Sequence, residues 1–309
     1  MCEKQYRIAI LGATGYVGRS LAVMLASDPR ARLSLFVRDV ARAEGTLRAL
    51  GVPESVQIHH IGTLHMHGAD VIVNATGIGS PLALQGNPRA IFEVTESMDA
   101  LVIAYCKRYP GVRVFNISTG AIYGGRCGEP LLKAAEATFD PDAVRVADFY
   151  AVAKLASELK HRAYPEMPII DLRLFSFFSA QVDAIDAFLL SQLVACVREG
   201  KVFITDSSDI VRDYVTPETI VDALFFLLGR PPGNSAYDLR SAAPVAKSEL
   251  IKYFVENWGL HTALAGDINQ GPTGKKHAYY SMRTTLADMG CIPKYTSLEG
   301  IDRALRSMF

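Results

Sequence analysis

The chain has 309 residues, half of them hydrophobic and 21% charged, enough for one large core or two lobes. Lysines plus arginines number 32 and aspartates plus glutamates also 32, so net charge draws the chain neither to nucleic acid nor to an anionic membrane surface. The five cysteines, at 2, 106, 127, 196 and 291, show no CxxC or paired spacing, the pattern of free thiols in a reducing cytoplasm. The polar first residues do not read as a signal peptide. No apolar run approaches the roughly 20 residues of a membrane span; 223–228 is far too short.

In chain order, Tyr6–Leu11 reads as a buried strand and 17–26 as the helix after it. Further strands are expected at 33–37, 56–60, 70–74, 112–118 and 169–175, with helices at 89–108 and 148–163. Strands alternating with helices predict an α/β fold, a doubly wound parallel sheet covered on both faces. The apolar runs lack clean alternation, as strands buried on both sides do. Beyond Phe178 the pattern loosens. A helix is expected over 183–198, a turn at Pro231-Pro232-Gly233-Asn234, a loop over 266–274, and two closing helices over 281–289 and 297–308. This divides the chain into a dinucleotide-binding part over 1–175, with a return segment near 209–240, and a smaller lobe made mainly of 176–309.

Gly12-Ala-Thr14-Gly15-Tyr16-Val17-Gly18 follows the first strand and opens the first helix. The first glycine permits the tight turn, the second lets backbone amides approach a phosphate, and the third lets helix and strand pack closely. The helix N-terminus then faces the anion. Strand two ends at Arg38-Asp39. An acid at this point accepts from the adenosine ribose hydroxyls, whereas a guanidinium pairs with a 2′-phosphate. Arg38 holds the place by spacing and favours NADP, while Asp39 beside it keeps NAD open. Asn74-Ala75-Thr76-Gly77 ends the fourth strand, where small residues let a dinucleotide lie close.

Tyr150-Ala-Val-Ala-Lys154 puts a phenol and an ammonium one helical turn apart on one face. A free tyrosine has a pKa of about 10, too high for easy proton exchange at neutral pH, and a nearby cation is expected to lower it. Lys154 is also placed to bond the nicotinamide ribose. Thr119, at the end of the fifth strand, is expected to hold a substrate carbonyl near Tyr150 while proton and hydride move together.

With these motifs in place, the chain resembles an extended short-chain dehydrogenase/reductase, the NAD(P)-dependent group of nucleotide-sugar epimerases, dehydratases and reductases. The resemblance runs over nearly the whole chain. It takes in the glycine turn, ISTGAIYG at 117–124, Tyr150 to Lys154 with LASE at 155–158, LRLF at 172–175, Arg212-Asp-Tyr-Val215, and the segments 286–293 and 297–301. It implies a sugar-nucleotide substrate in the smaller lobe, a homodimer through the helices near 89–108 and 148–163, and contact of Arg212 with a nucleotide diphosphate. It also assigns Ser176, which stands where relatives carry asparagine, to the substrate pocket. Ser179-Ala180 replace a Gly-Pro, and Thr95 replaces an asparagine. Gly120-Ala121 stand where the dehydratases carry the Asp-Glu that eliminates water, which argues against dehydration.

His59, His60, His65 and His67 cluster around the third strand, but neighbouring residues on a strand point to opposite faces, so no metal site is expected. Lys275-Lys276-His277 reads as a solvated loop, 250–258 with Trp258 as core of the smaller lobe, and Tyr279-Tyr280 as cleft lining or packing. The leading expectation is an NADP(H)-dependent reductase of a nucleotide-linked keto sugar, a 4-keto-6-deoxyhexose. The alternatives are an NAD-dependent epimerase that retains its cofactor, and a dinucleotide sensor without turnover, against which the Thr-Tyr-Lys set argues.

Overall fold

The computed structural model describes residues 4–78, 86–124, 129–132, 135–182, 188–265 and 277–309. Its first half runs β1 (Tyr6–Leu11), α1 (Tyr16–Ala26), β2 (Ala31–Val37), α2 (Val40–Ala49), β3 (Gln57–His60), β4 (Val71–Asn74), α3 (Ala90–Arg108), β5 (Arg113–Thr119), α4 (Phe149–Arg162) and β6 (Ile169–Leu174). Each strand expected from an apolar run forms, within a residue or two of its expected ends. Helix α2 has no counterpart in the sequence reading because its apolar face is thin. Only Ala43 and Leu47 are buried, and the helix starts on the Asp39 carboxylate, which accepts from the Arg42 amide at 3.0 Å.

The chain continues through β7 (Ser176–Phe177), α5 (Leu189–Glu199), β8 (Val202–Thr205), β9 (Val211–Arg212), β10 (Tyr214–Val215), α6 (Pro217–Leu228) and β11 (Ser235–Asp238). It closes with β12 (Val245–Ala246), α7 (Lys247–Trp258), β13 (His261–Leu264), β14 (Ala278–Tyr279), α8 (Thr285–Asp288) and α9 (Ser297–Arg306). The helix expected over 281–289 is confined to Thr285–Asp288. Ser281 instead bridges Leu131 and donates its hydroxyl to Asp238. The start of the helix expected from 183, the loop at 266–274, Lys275, Lys276, Cys2 and Cys127 lie outside the described residues.

Seven strands make one parallel sheet in the order β11-β6-β5-β4-β1-β2-β3. The order reverses at β1, which pairs with β2 on one side and β4 on the other. The crevice outside the carboxyl ends of β1 and β4 is where such sheets bind ligands.

Alternate side chains along each strand feed opposite layers. Ile8, Ile10, Leu35, Val71, Val73, Phe115 and Ile117 pack with Leu21 and Leu25 of α1, Leu47 of α2, and Ile220, Leu224 and Leu227 of α6. Ala9, Leu11, Phe36, Ile72 and Val114 pack with Val102, Ile103 and Cys106 of α3. Each large side chain buried this way contributes roughly 1.5–3 kcal/mol. A further core joins Leu190, Leu193 and Val194 of α5, Leu250 and Phe254 of α7, and Ile301 and Leu305 of α9, with Trp258 half-buried at its margin. Among the described residues no helix is long and apolar enough to cross a membrane, and Cys106, Cys196 and Cys291 are free thiols.

Candidate active site and cofactor crevice

The glycine turn is shaped by close backbone approaches. Gly12 adopts φ +74°, and a Cβ there would lie 3.0 Å from Thr76 Cα. A Cβ on Gly18 would overlap the Gly12 carbonyl oxygen, so helix α1 can sit this close to the turn only with glycine at that position. Gly15 N-caps α1 without a side-chain acceptor, and the first turn carries no acid. The positive end of the helix dipole therefore meets the crevice uncompensated by a carboxylate, which fits a dinucleotide pyrophosphate.

The side chains around the turn divide in use. Thr14 is exposed and Val17 half-buried. Tyr16 turns toward the segment after β7: its ring meets Phe177 edge-on at 5.0 Å and its hydroxyl accepts from the Ser179 amide at 2.9 Å. Arg19 donates to the Gln181 carbonyl at 3.0 Å, and the Ser20 and Ser179 hydroxyls bond at 2.7 Å. Ser179 thus clasps α1 to this segment. Arg38 and Asp39 are both exposed just past the end of β2, beside the turn. The Asp39 carboxylate is engaged in capping α2, which leaves Arg38 as the exposed charge at the strand end that is not committed to a helix cap.

At the end of β4, the Ala75 amide bonds Leu11 O at 3.0 Å. Asn74 is buried, and its side chain is consumed within the protein. It donates to Asn116 Oδ1 at 2.9 Å and accepts from the Thr76 amide at 3.2 Å. Its side chain orients Thr76, which stands against the glycine turn.

Thr119, Tyr150 and Lys154 come together at the ends of β4 and β5. The Thr119 side chain lies close enough to the Tyr150 phenol to pull its pKa down, and it accepts from the Ala121 amide at 3.1 Å. Lys154 is buried, and its Nζ donates to Thr76 O at 3.2 Å and Ile117 O at 2.9 Å. Burial pushes the ammonium's pKa down, against the opposing pull of Asp99, Asp171 and Glu158. The expected lowering of the Tyr150 pKa is not found: burial pushes it up to about 12, with only the Thr119 hydrogen bond pulling the other way. The physical cause is desolvation of the phenol; the Lys154 ammonium, bonded to the Thr76 and Ile117 carbonyls, adds no lowering against it.

Tyr279 of β14 also meets the site, its hydroxyl 3.3 Å from Thr119 Oγ1. Its ring packs 5.2 Å from Phe175 and lies under the Arg212 guanidinium at 5.8 Å. Arg212 is buried on β9, and the carboxylate of the neighbouring Asp213 accepts from the Ser241 amide at 2.9 Å. Ser176 is half-buried on β7, in register with Tyr214. Sequence reasoning left Tyr279 between cleft lining and packing, and its pairing with Thr119 joins residues 160 positions apart.

A buried chain beside the site also escaped the sequence reading. Ser118 bonds Glu158, which pairs with Arg173 at 2.6 Å; Arg173 donates to Tyr123 at 2.7 Å, and Tyr123 to Asp238 at 2.9 Å. Charged residues inside the otherwise apolar 153–158 and 169–175 runs were the available signal. The histidines near β3 make local contacts. His60 accepts from the Gly62 amide, His59 and His67 stack with centroids 3.9 Å apart, and no metal-holding cluster exists among the described residues.

A model of the NAD dependent epimerase/dehydratase family matches residues 8–239. Among solved structures, UDP-glucose 4-epimerase from Thermotoga maritima is similar at 15% identity and TM-score 0.79, covering 97% of both chains. ADP-L-glycero-D-manno-heptose-6-epimerase from Helicobacter pylori is similar at 14% identity and TM-score 0.78, covering 99% of this chain and 96% of that one. The NAD complex of dTDP-glucose 4,6-dehydratase from Bacillus anthracis is similar at 15% identity and TM-score 0.75, covering 97% and 95%. These likenesses establish the shared fold. With its glycine turn, reversed strand order and family match over most of its length, the chain belongs to the NAD dependent epimerase/dehydratase family of extended short-chain dehydrogenases/reductases.

Proposed function

We propose that the protein is an NADP(H)-dependent reductase of a nucleotide-linked keto sugar, a 4-keto-6-deoxyhexose. The observation that carries this reading is the meeting of Thr119, Tyr150 and Lys154 at the carboxyl ends of β4 and β5, beside the glycine turn. Reduction of a ketone requires a proton donor at the carbonyl oxygen, and the Tyr150 phenol supplies that group beside Thr119. Gly12, Gly15 and Gly18 with the N-terminus of α1 hold the cofactor's pyrophosphate, and Arg38 its 2′-phosphate. The bound nicotinamide supplies the hydride. Thr119 orients the carbonyl oxygen, Tyr150 gives it a proton, and Lys154 holds the ribose side of the crevice. Tyr279 and Arg212 face the sugar nucleotide, Arg212 toward its diphosphate. Gly120 and Ala121 carry no proton-exchanging group, which is why dehydration is set aside. The working unit is a homodimer through α3 and α4, on whose outer surface Leu159 is 61% exposed.

The test begins with release and identification of any dinucleotide carried through purification, followed by titration of the stripped protein with NADPH and NADH. An empty protein that prefers NADPH, and loses turnover but not cofactor binding in Tyr150→Phe, supports the reductase. Tightly retained NAD replaces this reading with an epimerase that oxidises and re-reduces one carbon. Full activity in Tyr150→Phe overturns the mechanism.

A further inference from the structure

Three polar side chains stand side by side on the sheet face covered by α3 and α4, where the neighbouring positions are apolar. Asn74 of β4 is in register with Asn116 of β5, and Asn116 with Asp171 of β6. They are 3%, 1% and 0% exposed. Such burial is tolerated only where every polar atom finds a partner, and the partners here impose a direction.

An ionised carboxylate only accepts hydrogen bonds. Asp171 accepts from His161 Nδ1 at 2.9 Å, from Arg162 at 2.5 Å and from Asn116 Nδ2 at 2.7 Å. Asn116 must therefore turn its amide nitrogen to Asp171 and its oxygen to Asn74. Asn74 must answer with its nitrogen, at 2.9 Å, which leaves its own oxygen facing Thr76. There it accepts from both the amide and the hydroxyl of Thr76. The Thr76 carbonyl in turn receives Lys154 Nζ at 3.2 Å.

We propose that Asp171 is a positioning residue that sets the orientation of Asn116, Asn74 and Thr76, and through Thr76 the place of the Lys154 ammonium in the cofactor crevice. The inference rests on the reading of Lys154 as a cofactor-site cation. It explains why a carboxylate is kept in the middle of a strand otherwise packed with Ile169, Ile170, Leu172 and Leu174. Charged groups reach Lys154 from three elements: Glu158 on its own helix α4, Asp99 on α3 and Asp171 on β6. His161 and Arg162 engage Asp171, and Ser157 donates to Asp99 at 2.9 Å.

The test compares Asp171→Asn, Asn116→Val and Lys154→Met with the parent. Full-length proteins are titrated with NADPH and NADH from pH 6 to pH 10, and an unfolding midpoint is taken for each. Asn116→Val leaves the Asp171 ion pairs intact, so it carries the test if Asp171→Asn does not fold. Both relay variants are expected to weaken dinucleotide binding about five- to tenfold at neutral pH, the scale of one well-placed hydrogen bond. Asp171→Asn also removes a charge that keeps Lys154 protonated, so its loss of affinity on the alkaline side starts at lower pH. Asn116→Val keeps that charge, and its alkaline limb stays in place. A merely structural role lowers unfolding midpoints and leaves affinity and limb unmoved, which overturns the proposal. Lys154→Met weakened with Asn116→Val unchanged overturns the relay alone. Lys154→Met unchanged overturns the reading of the site, and the relay with it.

Discussion

His161 ties the stability of the fold to pH. It is 1% exposed in α4, with Nδ1 2.9 Å from Asp171 and Nε2 3.4 Å from Asp99. Burial works against charging the imidazole, but hydrogen bonds and charge from Asp171 and Asp99 outweigh it and hold the pKa up to about 9, against 6.5 for a free histidine. A pKa raised on folding adds stability that is fully present below the unfolded value and lost as pH rises through the folded one. The gap is worth roughly 3 kcal/mol, present in full at pH 6 and nearly gone at pH 9.5. At a urea slope of about 3 kcal/mol/M, this moves the unfolding midpoint by about 1 M. The assay is urea unfolding at the two pH values, followed by far-UV circular dichroism, for the parent and for His161→Gln. The parent is expected to lose about 1 M more than the variant, because the other titrating groups are common to both. Equal losses in the two proteins refute the assignment of a charged, doubly paired His161.

Gly18→Ala forces a methyl group into the Gly12 carbonyl; it is expected to cost roughly 1–3 kcal/mol and to abolish tight dinucleotide binding, as read by unfolding and NADPH titration. Arg38→Ala is expected to weaken NADPH about tenfold to a hundredfold while leaving NADH within about twofold, as one charge-assisted contact to a 2′-phosphate would; equal effects on both cofactors count against the 2′-phosphate role. Arg173→Met strands Glu158 and Asp238, which lie 2.6 and 3.3 Å from the guanidinium, so it is expected to destabilise the fold by about 3–5 kcal/mol in thermal unfolding, well beyond a surface charge deletion.

Local pattern was enough to place most of the large sheet. Buried strands announce themselves as short β-branched runs, the glycine turn by its position between strand and helix, and Tyr150 and Lys154 by helical spacing; all of these act within about 20 residues of chain. Helix α2 was missed because its apolar face holds only two buried side chains and its start depends on the Asp39 cap. Other features needed the fold, because they join residues that no local period links. Tyr279 reaches Thr119 across 160 positions. Arg173 meets Glu158 on one side and Asp238, 65 positions away, on the other. His59 stacks on His67 only because the short helical turn Ile61–Met66 brings the chain back. The phenol of Tyr150 shows the division most plainly. Its spacing from Lys154 is a property of the helix, but the partners of the ammonium depend on where Thr76 and Ile117 present their carbonyls, and the pKa of the phenol on how far the fold desolvates it. Sequence determined which residues share a face. Tertiary packing decided which of them touch, because desolvation and hydrogen-bond geometry exist only once distant strands have paired.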